Sequence, residues 1–250
     1  MWSMSDETPR VYGYFQFGLQ RTGTTIVDRI LRDNFQIWKA NDHPDYAPDP
    51  YFPQPQMETN WKHHIDIPNN LPEDAPKILI YKNPYTWAES MAFRKGNGNG
   101  NWGQSWGHEN MNLYPQPKPA WNNISVPGQG MVNIGQLMYV YQHWFNTWLP
   151  YAEQNPDTTY VIKYEDILTD EGRLRVFNEI ATKFGWETKE EIKWVNHVGS
   201  SQPMTEKRIQ YYIEGKPTDP RFFVHGPRYV QSINDILGRD FISSLGYEII

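Results

Sequence analysis

Hydrophobic and polar positions alternate between two rhythms along this chain. Val11 to Phe17 mixes β-branched and aromatic residues and predicts a buried strand. Apolar positions at 26, 27, 30, 31 and 35 follow, at the spacing of one helix face. KILIY, 77 to 81, predicts a second short buried strand. The helix after it starts with Asn83 as N-cap and Pro84 in the first turn. Residues 134 to 149 form an aromatic amphipathic pattern, 159 to 166 read as strand then turn, and 172 to 184 as helix. The tail from 229 to 245 predicts one further helix. Strands alternating with helices imply a mainly parallel sheet covered by helices on both faces, an α/β fold.

Between these elements the pattern lapses. Residues 41 to 60 are crowded with Pro and Asp and predict a loop. GNGNGNWGQSW, 96 to 106, opens a Gly-, Asn- and Pro-rich stretch running to about 130, read as a long flexible insertion. The first ten residues are polar and loose. No linker divides the rest, so a single domain over 1–250 is expected. A net charge of −6 argues against a general nucleic-acid binder, while leaving room for a local basic pocket. The chain has no cysteine, which removes disulfides and thiolate metal sites. His43, His108, His143, His197 and His225 are scattered without metal-ligand spacing, so no metal site is expected. Neither a signal-peptide pattern nor an apolar run approaching the roughly 20 residues of a membrane span is seen. A soluble, cytoplasmic protein with no membrane partner is the expectation. The surplus of 11 Trp, 16 Tyr and 11 Phe suits a core first, and a cleft for a sugar or flat acceptor second.

The chemistry concentrates at GLQRTGTT, 18 to 25, between the first strand and the first helix. Gly18, Gly23 and Thr25 fit the phosphate-loop pattern G-x-x-x-x-G-K-[ST], but Thr24 stands at the lysine position. Such a loop aims backbone N–H groups at an anion, and the helix dipole favours negative charge there. The missing lysine normally handles the terminal phosphates of a triphosphate. The strand KILIY also ends in Lys82 and Asn83 instead of a magnesium-binding aspartate. A shorter anion held without metal fits better, with Arg21 supplying positive charge from within the loop.

These residues resemble the sulfotransferases that use 3′-phosphoadenosine 5′-phosphosulfate (PAPS). QRTGTT, 20 to 25, lies over the family's PKSGTT loop. ILIYKNPYTWAES matches its second signature, with Lys82 at the arginine position and Ser90 eight residues later. Lys62-His63-His64 matches the family's K-x-H, and Tyr164-Glu165-Asp166 its Tyr-Glu-Asp after a later strand. The resemblance covers residues 11 to 185, and the ending GYEII is also family-like. It implies a P-loop-type parallel sheet and sulfuryl transfer from PAPS to a hydroxyl or amine of a small-molecule or carbohydrate acceptor. The product nucleotide is 3′,5′-adenosine bisphosphate (PAP), and no metal is required.

The resemblance also assigns roles. His64 is the base, with His63 as immediate rival and Glu58 or Asp49 as carboxylate alternatives. Lys62 and Arg21 neutralise charge at the sulfuryl group. Arg21, Thr22, Gly23, Thr24 and Thr25 hold the 5′-phosphate, Lys82 and Ser90 the 3′-phosphate, and Tyr164 lies near adenine. The departures point to a divergent, bacterial- or virus-like member. Arg21 replaces the loop lysine and Lys82 an arginine, which changes hydrogen-bond geometry at both sites. Ile26 stands where cytosolic members place a tryptophan, and no R-K-G signature is recognisable. Lys207, Arg208 and Lys216 are its candidate replacements. Two rival readings are a P-loop kinase using ATP and a non-catalytic nucleotide- or glycan-binding module. Acceptor identity and oligomeric state are beyond the sequence.

Overall fold

The computed structural model describes residues 13–19, 21–39, 63, 65–69, 71–93, 123–126, 130–189, 206–215 and 226–250. Strand β1 (Gly13–Gly18) leads through residues 19–23 into helix α1 (Thr24–Asn34), and a two-residue strand β2 (Trp38–Lys39) follows. Strand β3 (Lys77–Tyr81) leads into helix α2 (Pro84–Phe93). Next come strands β4 (Asn123–Val126) and β5 (Gly130–Asn133) and the long helix α3 (Ile134–Gln154). Strand β6 (Thr159–Lys163) ends in a 3-10 turn (Tyr164–Ile167) and helix α4 (Asp170–Phe184). Helices α5 (Glu206–Ile213), α6 (Gly226–Leu237) and α7 (Arg239–Ser244) complete the described elements.

The main sheet is parallel, in the order β2-β1-β3-β6. Period-two alternation sends its side chains to two separate cores. Phe15, Phe17 and Leu79 pack with Trp87, Met91, Trp144 and Trp148 from α2 and α3, joined by Ile233 and Ile242 from α6 and α7. Tyr14, Ile78, Ile80 and Ile162 pack on the other face with Val27, Ile30 and Leu31 of α1 and Phe177 and Ile180 of α4. Helices therefore cover both faces, as a parallel sheet requires. Trp144 and Trp148 are fully buried, and the Trp148 ring lies 4.5 Å from that of Phe17. Among the described residues, Trp87, Trp144, Trp148 and Trp186 are core.

Four boundaries differ from expectation. Helix α3 runs on past 149 through Pro150 to Gln154. The proline forgoes one backbone bond, and Tyr151 and Ala152 still pack on the core beyond it. The expected tail helix is two helices, because Gly238 at φ 80° breaks the chain between α6 and α7. The end of the stretch expected to be flexible to about 130 forms an antiparallel hairpin, with Asn123 opposite Asn133 and Val126 opposite Gly130. Helix α1 begins at Thr24, two residues before its first apolar position. Residues 1–10 and 96–122 lie outside the described residues. Among the described residues, no helix is long and apolar enough to cross a membrane.

Candidate functional site

Parallel pairing brings three strand ends to one edge. Gly18 of β1 pairs with Ile80 of β3, and Tyr81 with Lys163 of β6. Segments leaving the carboxyl ends of neighbouring parallel strands form the usual crevice of such sheets. The glycine loop, Lys82 and Tyr164 all emerge there.

The loop is a tight turn. The Thr22 amide and hydroxyl both donate to the Leu19 carbonyl, at 3.2 and 2.7 Å. Thr22 therefore faces inward and braces the turn, while Gly23, Thr24 and Thr25 carry the helix start. Arg21 has φ 67° and Gly23 φ 95°, both in the left-handed region. Gly23 is the N-cap of α1 and supplies no side-chain cap to the first-turn amides. The buried Gln16 amide donates to the Thr24 carbonyl at 2.7 Å, tying the helix start to β1. Thr25 is exposed and Arg21 half-buried.

Tyr164 explains why residue 23 is glycine. A Cβ there would stand 2.4 Å from Tyr164 Cδ2, well inside contact distance, so the ring lies directly against the loop. The Lys82 ammonium lies over the same ring, 5.5 Å from its centroid.

Lys82 is 2% exposed, and its Nζ donates to Ser90 Oγ at 2.9 Å. Ser90 in turn donates to the Thr86 carbonyl at 2.7 Å. Asn83 Oδ1 caps α2 by accepting from the Tyr85 and Thr86 amides, which sets the helix phase that brings Ser90 over Lys82. Two further residues join the group, neither given a role by the sequence. Tyr212 of α5 places its ring under the Lys82 ammonium, 4.2 Å from the centroid, and stands perpendicular to the Tyr164 ring with centroids 5.9 Å apart. Glu165 is buried and accepts from the Asn83 amide and the Tyr247 hydroxyl, both at 2.9 Å. Burial raises its pKa, and these hydrogen bonds with the nearby Lys82 charge offset part of the rise. Tyr-Glu-Asp was a visible motif, whereas nothing near Tyr212 marked it as reaching this edge.

His63 also reaches the loop. Its Nδ1 lies 2.7 Å from the Gly18 carbonyl oxygen. A carbonyl only accepts, so Nδ1 carries the hydrogen and, in the neutral ring, Nε2 carries the lone pair. Lys62, His64, Glu58 and Asp49 lie outside the described residues, as do Lys216 and the side chain of Arg208. The structure thus brings Arg21, Gly23, Thr24, Thr25, Lys82, Ser90, Tyr164 and His63 to one edge of the sheet. No family model matches this chain, and comparison with curated proteins and with solved structures gives no match either.

Proposed function

We propose that this protein transfers a sulfuryl group from PAPS to a hydroxyl or amine of a small-molecule or carbohydrate acceptor. One observation carries the reading: the unbroken run Gly23–Tyr164–Lys82–Ser90 along the strand ends. A helix N-terminus with no side-chain cap suits one anionic group, and a buried lysine–serine pair suits a second. The tyrosine ring between them suits a flat base. A nucleotide phosphorylated at both the 5′ and 3′ positions has that layout, on a P-loop-type sheet. Arg21 in place of a loop lysine, and Asn83 in place of a strand-end aspartate, fit this donor better than a magnesium–triphosphate.

In the proposed reaction the acceptor oxygen or nitrogen forms a bond to sulfur as the bond from sulfur to the 5′-phosphate oxygen breaks. PAP leaves with the electron pair. The first-turn amides of α1 and Arg21 hold the 5′-phosphate and balance the charge it gains. His64 takes the acceptor proton, with Lys62 keeping that imidazole neutral and adding charge at the sulfuryl group. His63, between them in sequence, meets the Gly18 carbonyl at the glycine loop. Positioning and preorganised charge supply most of the rate enhancement.

Mass spectrometry tests this by following PAP formation from PAPS with pooled hydroxyl and amine acceptors. Acceptor-dependent PAP and a sulfated product are expected, with kcat reduced about 100-fold in His64→Ala. Retained PAP binding without turnover on any acceptor would favour a binding module instead.

A further inference from the structure

Between the sheet and the second helix lies one peptide group that neither element holds. The last ladder pair joins Tyr81 to Lys163, and the helical bond nearest the start of α2 runs from the Trp87 amide to the Asn83 carbonyl. The peptide linking Lys82 to Asn83 falls in the gap. Two buried side chains from distant parts of the chain grip it instead. The Tyr141 hydroxyl of α3 donates to the Lys82 carbonyl at 2.6 Å. Glu165 Oε1 accepts from the Asn83 N–H at 2.9 Å, and its Oε2 accepts from the Tyr247 hydroxyl. Tyr141 is fully buried, and Glu165 and Tyr247 are each 7% exposed.

A peptide plane held at both its N–H and its carbonyl cannot rotate. Its orientation sets the direction in which the Lys82 side chain departs, and therefore the 2.9 Å approach of Nζ to Ser90. Burial pushes the Tyr141 phenol well above its ordinary pKa, so the group stays protonated and donating. Lysine is a flexible point charge with no fork to orient it, so a fixed backbone matters more here than it would for arginine.

We infer that Tyr141 and Glu165 are positioning residues that fix Lys82 for the 3′-phosphate of the nucleotide, with Tyr247 of the C-terminal tail bracing Glu165. This rests on the nucleotide reading above. The clamp acts on one of the two anion sites and not on the glycine loop. Its loss therefore weakens a 3′,5′-bisphosphate selectively and spares a 5′-monophosphate.

The test is calorimetric titration of the full chain with PAP and with AMP. Tyr141→Phe keeps the ring and removes only the hydroxyl. Its Kd for PAP is expected to rise about tenfold, the scale of one buried hydrogen bond to a group serving a charge. Its Kd for AMP is expected to stay at the wild-type value. Tyr160→Phe, which removes a hydroxyl bonded to Glu179 away from the site, serves as the control with an unchanged ratio. Equal weakening of both nucleotides by Tyr141→Phe, or an unchanged ratio, overturns the inference. If Tyr141→Phe does not fold, Tyr247→Phe gives the reading: a fall in the PAP-to-AMP preference of about threefold supports the clamp, and none overturns it. Wild-type protein without any preference for PAP overturns the nucleotide reading and this inference together. A wild-type preference that Tyr141→Phe retains overturns only the clamp.

Discussion

Strand β3 is bounded by two buried lysines, and the contrast between their surroundings bears on which charge the proposed nucleotide would use. Lys77, at its start, is fully buried, donates to the Glu73 carbonyl at 2.6 Å and lies near the Tyr151 ring. Burial pushes its ammonium down to about 8, and the neighbouring Asp74 and Glu73 oppose that shift. Lys82, just past the strand's end, meets a serine hydroxyl and two tyrosine faces, beside a glycine loop at a helix start. Carboxylates beside Lys77 already answer its charge. Glu165 also lies near Lys82, but its oxygens accept from the Asn83 amide and the Tyr247 hydroxyl, so a phosphate can be a stronger partner for this ammonium than the Ser90 hydroxyl. Burial alone does not mark a site; what surrounds the buried charge does.

Exchanging each lysine for methionine breaks the comparison most sharply. Lys82→Met is expected to weaken PAP about 100-fold in calorimetric titration, as removal of a buried charge partner does. Lys77→Met should leave PAP affinity unchanged; weakening there would mean that the two ends of β3 are not separate. Gly23→Ala comes next. Its φ of 95° and the Tyr164 ring at 2.4 Å from the new Cβ predict a loss of about 1–3 kcal/mol in urea unfolding, together with weaker nucleotide binding. Ser90→Ala removes one hydroxyl from the Lys82 end, with an expected PAP loss of about tenfold and wild-type AMP binding.

The smallest effect is a pH dependence at the Lys77 end. The Lys77 pKa is lowered from 10.5 to about 8 in the folded chain, so between those values the unfolded state binds more protons. Stability from this group is therefore expected to rise with pH across that window and to be level below it. Lys77→Met should remove the rise in urea midpoints measured from pH 8 to 10.5. A rise that persists in the variant would assign it to another group.

Local spacing made much of this edge legible. The loop 18–25 and the Lys82–Ser90 pair each lie within a single strand–helix junction, where helix period and capping decide the geometry. Helix α4 was legible for the same reason: Thr169 caps its start and Gly185, at φ 65°, ends it. The missed parts depend on contacts between residues far apart in sequence. Tyr212 reaches Lys82 across 130 positions of chain, and Tyr141 reaches the Lys82 carbonyl from 59 away. No periodicity encodes such pairings. Pro150 and Gly238 misled in opposite directions: core packing carried α3 through the proline, whereas the glycine divided an otherwise continuous apolar pattern. The hairpin at 123–133 escaped because Gly- and Asn-rich sequence reads as loop when its strands are only four residues long.

The most direct measurement of the central claim is a calorimetric titration of wild-type protein with PAP, AMP and magnesium-ATP under one set of conditions. The two proposed anion sites, with Tyr164 beside both, predict that PAP binds about tenfold or more tightly than AMP, the scale of one charge-assisted contact. They also predict that magnesium-ATP gains nothing over AMP. Equal affinity for PAP and AMP, or magnesium-dependent preference for ATP, would contradict the account.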